Sequence, residues 1–328
     1  MNRHKYLWLL SGLTILAATC GQAAQVDGPT YPTRPIRLTT PFTAGSTLDI
    51  MGRLVAENLG ASLGQNVVVD NRPGANGIIG TSLVARAPAD GYTMLLTTGS
   101  FTGNVVLNKK LPYDTVRDFA PITQIARSYG LVLVVNPSVP AKSVSELVEL
   151  AKSHPGKLSY ASSGVGNMTH LVAALFNSLA GVDITHVPYK GSGPAMTDVL
   201  GRQVDMTFVS TVFVQPFLKD KRVRALALTG GERTPVLPDI PTFKELGFPD
   251  FEMTGWYGLW FPAHTPRGRV DRIQREIKKA VGSPHMKSRL DELGLVAVAS
   301  TPAEFVKFLQ DDLLLQTRIA KQAGIEPQ

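Results

Sequence analysis

Two stretches of the chain share one layout: a short apolar strand, a loop of glycine and hydroxyl residues, then an amphipathic helix. The first reads Ile36-Arg37-Leu38-Thr39-Thr40, then Pro41-Phe42-Thr43-Ala44-Gly45-Ser46-Thr47, then Leu48 to Leu63. The second reads Leu158 to Ala161, then Ser162-Ser163-Gly164-Val165-Gly166-Asn167, then Met168 to Leu179. A loop of this kind aims backbone N–H groups and hydroxyls at one spot on a helix N-terminus, where the helix dipole also favours negative charge. Each is a ready anion site. Together they predict two halves that grip a small anion from opposite sides of a cleft.

The rest of the chain continues the strand and helix alternation. Strands are expected at Val67 to Asp70, Tyr92 to Thr97, Leu131 to Val135, Asp183 to Val187, Met206 to Val209 and Ala225 to Thr229. Between them lie helices to about Arg86, from the capping box Ser143-Val144-Ser145-Glu146 to Ser153, and from Pro194 to Leu200. Short apolar runs separated by amphipathic stretches indicate βαβ units and a mainly parallel sheet. The rhythm restarts near residue 128, and a proline-rich stretch from Thr234 to Phe248 precedes the aromatic run Trp256-Tyr257-Gly258-Leu259-Trp260-Phe261. Helices starting at Thr265-Pro266 and at Thr301-Pro302-Ala303-Glu304 then follow. The expected organisation is a first domain of residues 25–127 and 253–328, with a second domain, 128–252, inserted in it.

Residues 1–24 read as a secretory signal peptide: Arg3-His4-Lys5, an apolar run from Tyr6 to Ala18, and small residues at Gly21-Gln22-Ala23-Ala24. Export to the periplasm is therefore expected. Cys20 is the only cysteine. Lipid attachment there is the other fate of such a leader, although Ala17 and Thr19 fit a lipoprotein cleavage site poorly. Once the leader is cut near Ala23 or Ala24, disulfides, thiol catalysis and thiolate metal sites are excluded. The net charge of +7 is spread along the chain, with no basic stripe interleaved with aromatics, so nucleic acid is not an expected partner.

Catalytic readings find little support. Ser162-Ser163-Gly164 lacks the G-x-S-x-G elbow, because Ala161 takes the first glycine position. A secreted hydrolase using Ser163 and His170 would also need an orienting carboxylate that no motif supplies. His4, His154, His170, His186, His264 and His285 show no metal-ligand spacing. The glycines of 74–80 are not followed by Lys-Ser/Thr, and Gly164-Val165-Gly166 lacks a third glycine, so neither loop reads as a nucleotide site. No cofactor and no metal are expected. Asp49 reads as a first-turn acid that complements the helix dipole.

Further segments carry a resemblance. Tyr31-Pro32-Thr33-Arg34-Pro35-Ile36, Pro41-Phe42 with Gly45, Asn71-Arg72-Pro73-Gly74-Ala75, Ala89-Asp90-Gly91-Tyr92-Thr93 and Leu111-Pro112-Tyr113-Asp114 come in order. They are followed by Asp118-Phe119-Ala120-Pro121, Ser162-Ser163-Gly164, His170-Leu171, Val187-Pro188-Tyr189-Lys190-Gly191, Leu237-Pro238-Asp239 with Pro241-Thr242, and Pro262-Ala263 with Thr265-Pro266. Over nearly the whole mature length the chain resembles the Bug (Bordetella uptake gene) proteins, the TctC-like extracytoplasmic solute receptors of tripartite tricarboxylate transporters.

The resemblance implies a two-domain receptor of the periplasmic-binding-protein type II fold, a hinged trap for a small carboxylate. It would be a monomer and not an enzyme, with inner-membrane transporter subunits as its partners. A receptor that signals to a membrane kinase is the alternative. In such proteins the two loops hold carboxylates through backbone N–H, hydroxyls and ordered water. The expected ligand-binding residues are Phe42, Thr43, Ala44, Gly45, Ser46 and Thr47 from the first loop, and Thr98 and Ser100 after the third strand. The second half supplies Ser162, Ser163, Gly164, Asn167, Thr169, His170, Tyr189, Val209 and Ser210. The chain departs from the family at Ser46, where a second glycine is usual, and at Leu48, where a small polar residue is common. A third departure is Val209-Ser210-Thr211, where many relatives carry an acid or amide; its absence argues against an amino-acid ligand.

Overall fold

The structure, a computed structural model, describes residues 31–249, 251–322 and 324–327. The leader read over 1–24, with Cys20, lies outside the described residues. In chain order the first elements are β1 (Ile36–Thr40), α1 (Thr47–Leu63), β2 (Val67–Asn71), α2 (Ile78–Ala85), β3 (Thr93–Thr98), α3 (Ser100–Leu107) and β4 (Phe119–Ser128). Next come β5 (Leu131–Val135), α4 (Val144–Ser153), β6 (Ser159–Ser162), α5 (Met168–Ala180), β7 (Thr185–Pro188), α6 (Ser192–Leu200), β8 (Met206–Ser210), α7 (Thr211–Lys219) and β9 (Arg224–Leu228). The chain ends with β10 (Trp256–Pro262), α8 (Arg267–Val281), α9 (Pro284–Glu292), β11 (Leu295–Ala297) and α10 (Pro302–Gln322).

Two sheets result, ordered β11-β4-β10-β3-β1-β2 and β7-β6-β8-β5-β9. In the first, β1, β2, β3 and β4 point one way, while β10 runs antiparallel between β3 and β4, and β11 antiparallel to β4. In the second, β6, β7, β8 and β9 point one way and β5 runs against them. The expected parallel direction dominates, but each sheet is mixed. Two of the exceptions have a common origin, because β5 and β10 are the strands that enter each sheet from the other; β11 instead follows α9 within its own lobe. The chain leaves β4 and β9 at the edge where the parallel strands end, and enters β5 and β10 at that same edge. Both crossings therefore lie beside the strand-to-helix loops, which puts the loop edges of the two lobes on either side of one hinge.

At the hinge the two crossings touch. A Cβ on Gly230 would stand 1.9 Å from the Tyr129 carbonyl oxygen, and one on Gly130 2.5 Å from the Gly230 nitrogen. Side-chain size excludes other residues at Gly230, and at Gly130 the φ of +105° does so as well. Ser128 N–H donates to the Gly255 carbonyl, Leu131 N–H to Thr229 Oγ1, and Arg127 pairs with Glu232 at 2.8 Å. A third connection is α10, whose Phe305 packs in the first lobe with Trp256 and Trp260 while its Ile319 packs in the second with Phe176 and Leu171. The C-terminal helix thus packs against both lobes.

Both sheets are buried on both faces, as sheets covered by crossover helices must be. In the first, Leu38, Met94 and Leu96 face Met51, Val55 and Leu59 of α1 and Ile273 and Ile277 of α8, while Leu95 faces Phe101, Trp260 and Phe305. In the second, Leu133 and Val135 face α5, and Val132 and Val134 face Met196, Val199 and Val214. Side chains of this size contribute about 1.5–3 kcal/mol each on full burial, so each lobe has a core of its own.

Candidate functional site

The parallel strands β1 and β3 end beside each other, and each hands over to a helix; so do β6, β7 and β8. Helices α1 and α3 in one lobe, and α5, α6 and α7 in the other, thus point their N-termini at the hinge side of their sheets. Such an edge is rich in backbone donors and in positive dipole ends. A cavity of about 20 Å³ there is lined from both lobes, by Ser100 and Gly103 of α3, Gly166 of the second loop, Met168 at the start of α5, and Trp256 and Gln316.

In the first loop Thr43, Ala44 and Gly45 are exposed, and Ser46 and Thr47 half-buried. Ser46 is the N-cap of α1, its hydroxyl accepting from Asp49 N–H at 3.3 Å. Asp49 does more than complement the dipole. Its carboxylate is buried and accepts from Gly45 N–H at 2.9 Å, Asn71 Nδ2 at 3.0 Å and Arg53 Nε at 3.1 Å. Asn71 in turn donates to Thr40 Oγ1 and the Phe42 carbonyl. Burial pushes the Asp49 carboxyl up, but the bonds from Gly45, Arg53 and Asn71 outweigh it and hold the group below its ordinary value. Ala44, Thr47 and Leu48 keep N–H groups with no partner among the described residues.

The second loop repeats the device with another residue type. Asn167 is the N-cap of α5, its Oδ1 accepting from Thr169 N–H at 3.1 Å. His170 Nδ1 accepts from Gly166 N–H at 3.1 Å, as Asp49 does from Gly45, and the two glycines hold φ of +75° and +80°. Accepting at Nδ1 fixes His170 as a neutral ring with its proton on Nε2. Burial keeps its pKa below the ordinary value. His170 stacks on His186 with centroids 4.1 Å apart, and Tyr160 stacks on the far face of that ring at 4.8 Å. Burial, then His170, push His186 down to about 4.

Most donors of the second loop are occupied within it. Ser163 N–H donates to Thr169 Oγ1 at 2.8 Å, and Gly164 N–H to Ser162 Oγ at 3.2 Å. Ser162 is fully buried and shares a 2.6 Å bond with His186 Nε2. Val165 and Met168 keep N–H groups without a partner among the described residues, and Ser163 Oγ meets only Ser192 Oγ, at 2.8 Å. Thr169 and His170 are buried, so their side chains hold the loop. No bond joins Ser163 to His170 among the described contacts, since each has the partner already named.

Of the other expected residues, Phe42 is half-buried against the first core and Thr98 stands opposite Tyr257 at the end of β3. Ser100 opens α3 and lines the small cavity. Tyr189 turns its hydroxyl to Asp198 Oδ2 at 2.5 Å, and Val209 is buried within its sheet. Ser210 is the N-cap of α7 with no side-chain cap bond. The sequence reading passed over Asn71, His186 and Ser192. A polar residue ending β2 and the Gly191-Ser192-Gly193 run that caps and opens α6 were the available signals.

Comparison with known proteins agrees with the fold. A model described as tripartite tricarboxylate transporter family receptor, TctC, matches residues 51–325. Protein BugT of Bordetella pertussis is 35% identical over 318 residues, covering 96% of this chain and 97% of BugT. Among solved structures, R. palustris Rpa4515 with adipate has a TM-score of 0.85 at 35% identity, over 91% of this chain and 100% of that one. MatC of Rhodopseudomonas palustris, with bound malate, has a TM-score of 0.79 at 30% identity, over 88% and 99%. With its two mixed sheets, doubled crossing and matched loops, the chain belongs to the TctC family of tripartite tricarboxylate transporter receptors.

Proposed function

We propose that the protein is a periplasmic receptor that closes on a small organic dicarboxylate and presents it to the membrane subunits of a tripartite transporter, without covalent chemistry. The observation that carries the reading is the pairing of two matched loops, one per lobe, on the edge where both crossings lie. On this reading residues 25–127 with 253–328 form one domain, 128–252 form the other, and the chain acts as a monomer. Among the described residues no helix is long and apolar enough to cross a membrane.

The first loop offers the free N–H groups of Ala44, Thr47 and Leu48, together with the hydroxyls of Ser46 and Thr47, to one carboxylate. The second offers Val165 and Met168 N–H, Asn167 Nδ2 and the Ser163 hydroxyl to the other. Ser162, Thr169 and His170 shape that loop from behind. Neither loop carries Arg or Lys, so the ligand is held by neutral donors and helix dipoles. Neutral donors of this kind suit a ligand that must be released again. Ser210 and Thr211 at the start of α7 offer no carboxylate to an ammonium group, which favours acids without an amine. The bound adipate and malate of the two relatives suit this donor set.

The test is a thermal-shift screen of the mature chain, stripped of ligand by unfolding and refolding, against dicarboxylates, tricarboxylates, aromatic acids, amino acids and sugars. Ligand at a hundredfold excess over Kd stabilises by about 2.7 kcal/mol, which raises the melting point by roughly 5 °C in a chain of this size. A shift confined to carboxylates is expected. Shifts with sugars alone, or tighter binding of aspartate than of its amine-free counterpart, refute the reading.

A further inference from the structure

We propose that Ser192, on the first turn of α6, is a positioning residue that works with Ser163 as one hydroxyl unit, and that this unit sets how tightly the second lobe holds the far end of its ligand. The inference rests on the carboxylate-receptor reading above.

The hydroxyl oxygens of Ser163 and Ser192 lie 2.8 Å apart. Two hydroxyls joined by one bond commit one proton to each other and keep the second proton for an outside acceptor. The remaining hydroxyls of the second loop have no such freedom. Ser162 is fully buried against His186, while Thr169 Oγ1 accepts from Ser163 N–H and donates to Asn167 Oδ1. The Ser163–Ser192 pair is therefore the hydroxyl donor that this loop can turn toward an anion.

The direction of the pair follows from the ligand's charge. A carboxylate accepts from Ser163, and Ser163 in turn accepts from Ser192, so the two bonds polarise each other along a chain. The backbone supports this order. The loop that carries Ser192 is fastened to the ligand loop by the bond from Tyr189 N–H to the Ser162 carbonyl, at 3.0 Å. Gly191, the N-cap of α6, supplies no side-chain cap, and Ser192 and Gly193 N–H groups have no partner among the described residues. The start of α6 thus adds positive potential behind the Ser192 hydroxyl and strengthens it as a donor. Removing Ser192 leaves Ser163 present but unaimed.

The experiment is calorimetric titration of wild type, S163A, S192A, the double variant and S192T with adipate and with malate, alongside melting curves without ligand. Loss of one neutral hydrogen bond weakens binding by about fivefold. S192A is expected to show that loss while S192T, which keeps the hydroxyl, stays near wild type. The double variant should bind no more weakly than S163A, because Ser192 acts only through Ser163. Two results overturn the proposal: S192A binding as tightly as wild type, or Ser192→Ala costing the same factor with Ser163 absent as with it present. If S192A also melts lower, the ligand-free curve of S192T decides, and recovery of stability without recovery of affinity counts against the proposal. Failure of wild type to bind any carboxylate overturns the receptor reading itself, and the role of the pair with it.

Discussion

Replacing Asp49 with Asn tests whether the first loop is held by an acceptor-only group. All three partners of the carboxylate donate to it: Gly45 N–H, Asn71 Nδ2 and Arg53 Nε. An amide has one acceptor oxygen, so its NH2 must face at least one of these donors. The least unfavourable choice keeps the oxygen toward Gly45 and Arg53 and turns the NH2 toward Asn71, which retains Thr40 Oγ1 and the Phe42 carbonyl. What is lost is one bond to a buried charge and the favourable charge at the start of α1. The loss amounts to about 2 kcal/mol, since the Arg53 pair is mostly solvated and adds little. Melting should fall by about 4 °C in a chain of this length. Adipate or malate affinity should fall at least about tenfold, because the loop that carries Ser46 and Thr47 loses its anchor. The folded pKa of Asp49 lies below the unfolded one, so its stabilisation is present above the ordinary carboxylate pKa and lost as pH falls through the folded value. The variant should therefore lose the acid-limb sensitivity that wild type shows below about pH 4. D49N that melts within a degree of wild type and binds equally well would refute the clamp.

Three further outcomes follow from contacts elsewhere. Gly230→Ala puts a methyl 1.9 Å from the Tyr129 carbonyl, so the crossings must part by more than 1 Å; a loss of about 1–3 kcal/mol and a changed open-to-closed ratio by small-angle scattering are expected, and an unchanged melt and profile would contradict the hinge. Ser163→Leu should abolish ligand-induced stabilisation while the ligand-free melt stays within a few degrees, since Ser163 is only half-buried; retained binding by titration counts against the second loop. His186 is held at about 4 against an ordinary value near 6.5, so the folded state resists its protonation: stability should fall as pH drops from about 6.5 to about 4 and then level. His186→Gln should flatten that limb in a pH series of melting curves, and an identical limb in both proteins would rule the ring out.

The strand, loop and helix units were legible because their signals are local. Ser143 caps its helix as its capping-box spacing implied, the two glycine-and-hydroxyl loops end at the caps Ser46 and Asn167, and the apolar runs at Ile36, Leu131 and Met206 are strands. Strand β4 was not legible, because Pro121 interrupts its pattern; in the structure that proline pairs with Trp260 next to a register shift, where a missing N–H does least harm. Helix α7 was hidden by β-branched and aromatic residues and by Pro216, and tertiary packing of Val214 overrides those preferences. The direction of β5 and β10 has no local signature at all, since it is set by which lobe the chain has just left.

The site divides along the same line. Sequence shows which donors exist, but only the fold shows which are free. Of the second loop's N–H groups, those of Ser163, Gly164, Gly166 and Asn167 are turned inward, and the loop keeps its shape without a ligand. The residue responsible stands at the same helical position in both lobes, the third of the first turn, and bonds the glycine before the cap. It is Asp49 in one lobe and His170 in the other, so no motif search would pair them. The two clamps differ in charge: the first puts a carboxylate, paired with the exposed Arg53, beside the anion site proposed for its loop, while the second is neutral. Asp49, only partly offset by the exposed Arg53 that pairs with it at 3.1 Å, opposes an anion at the first loop by less than its anchoring of that loop contributes, and the neutral imidazole leaves the second loop unopposed. The second lobe should therefore hold the ligand first and the first lobe close onto it, so a substitution in the second loop should slow association while one in the first should chiefly hasten release. Stopped-flow fluorescence with adipate, reading the environment of Trp256 beside the hinge, separates the two rates; equal effects of S163A and Thr47→Ala on association would refute the order.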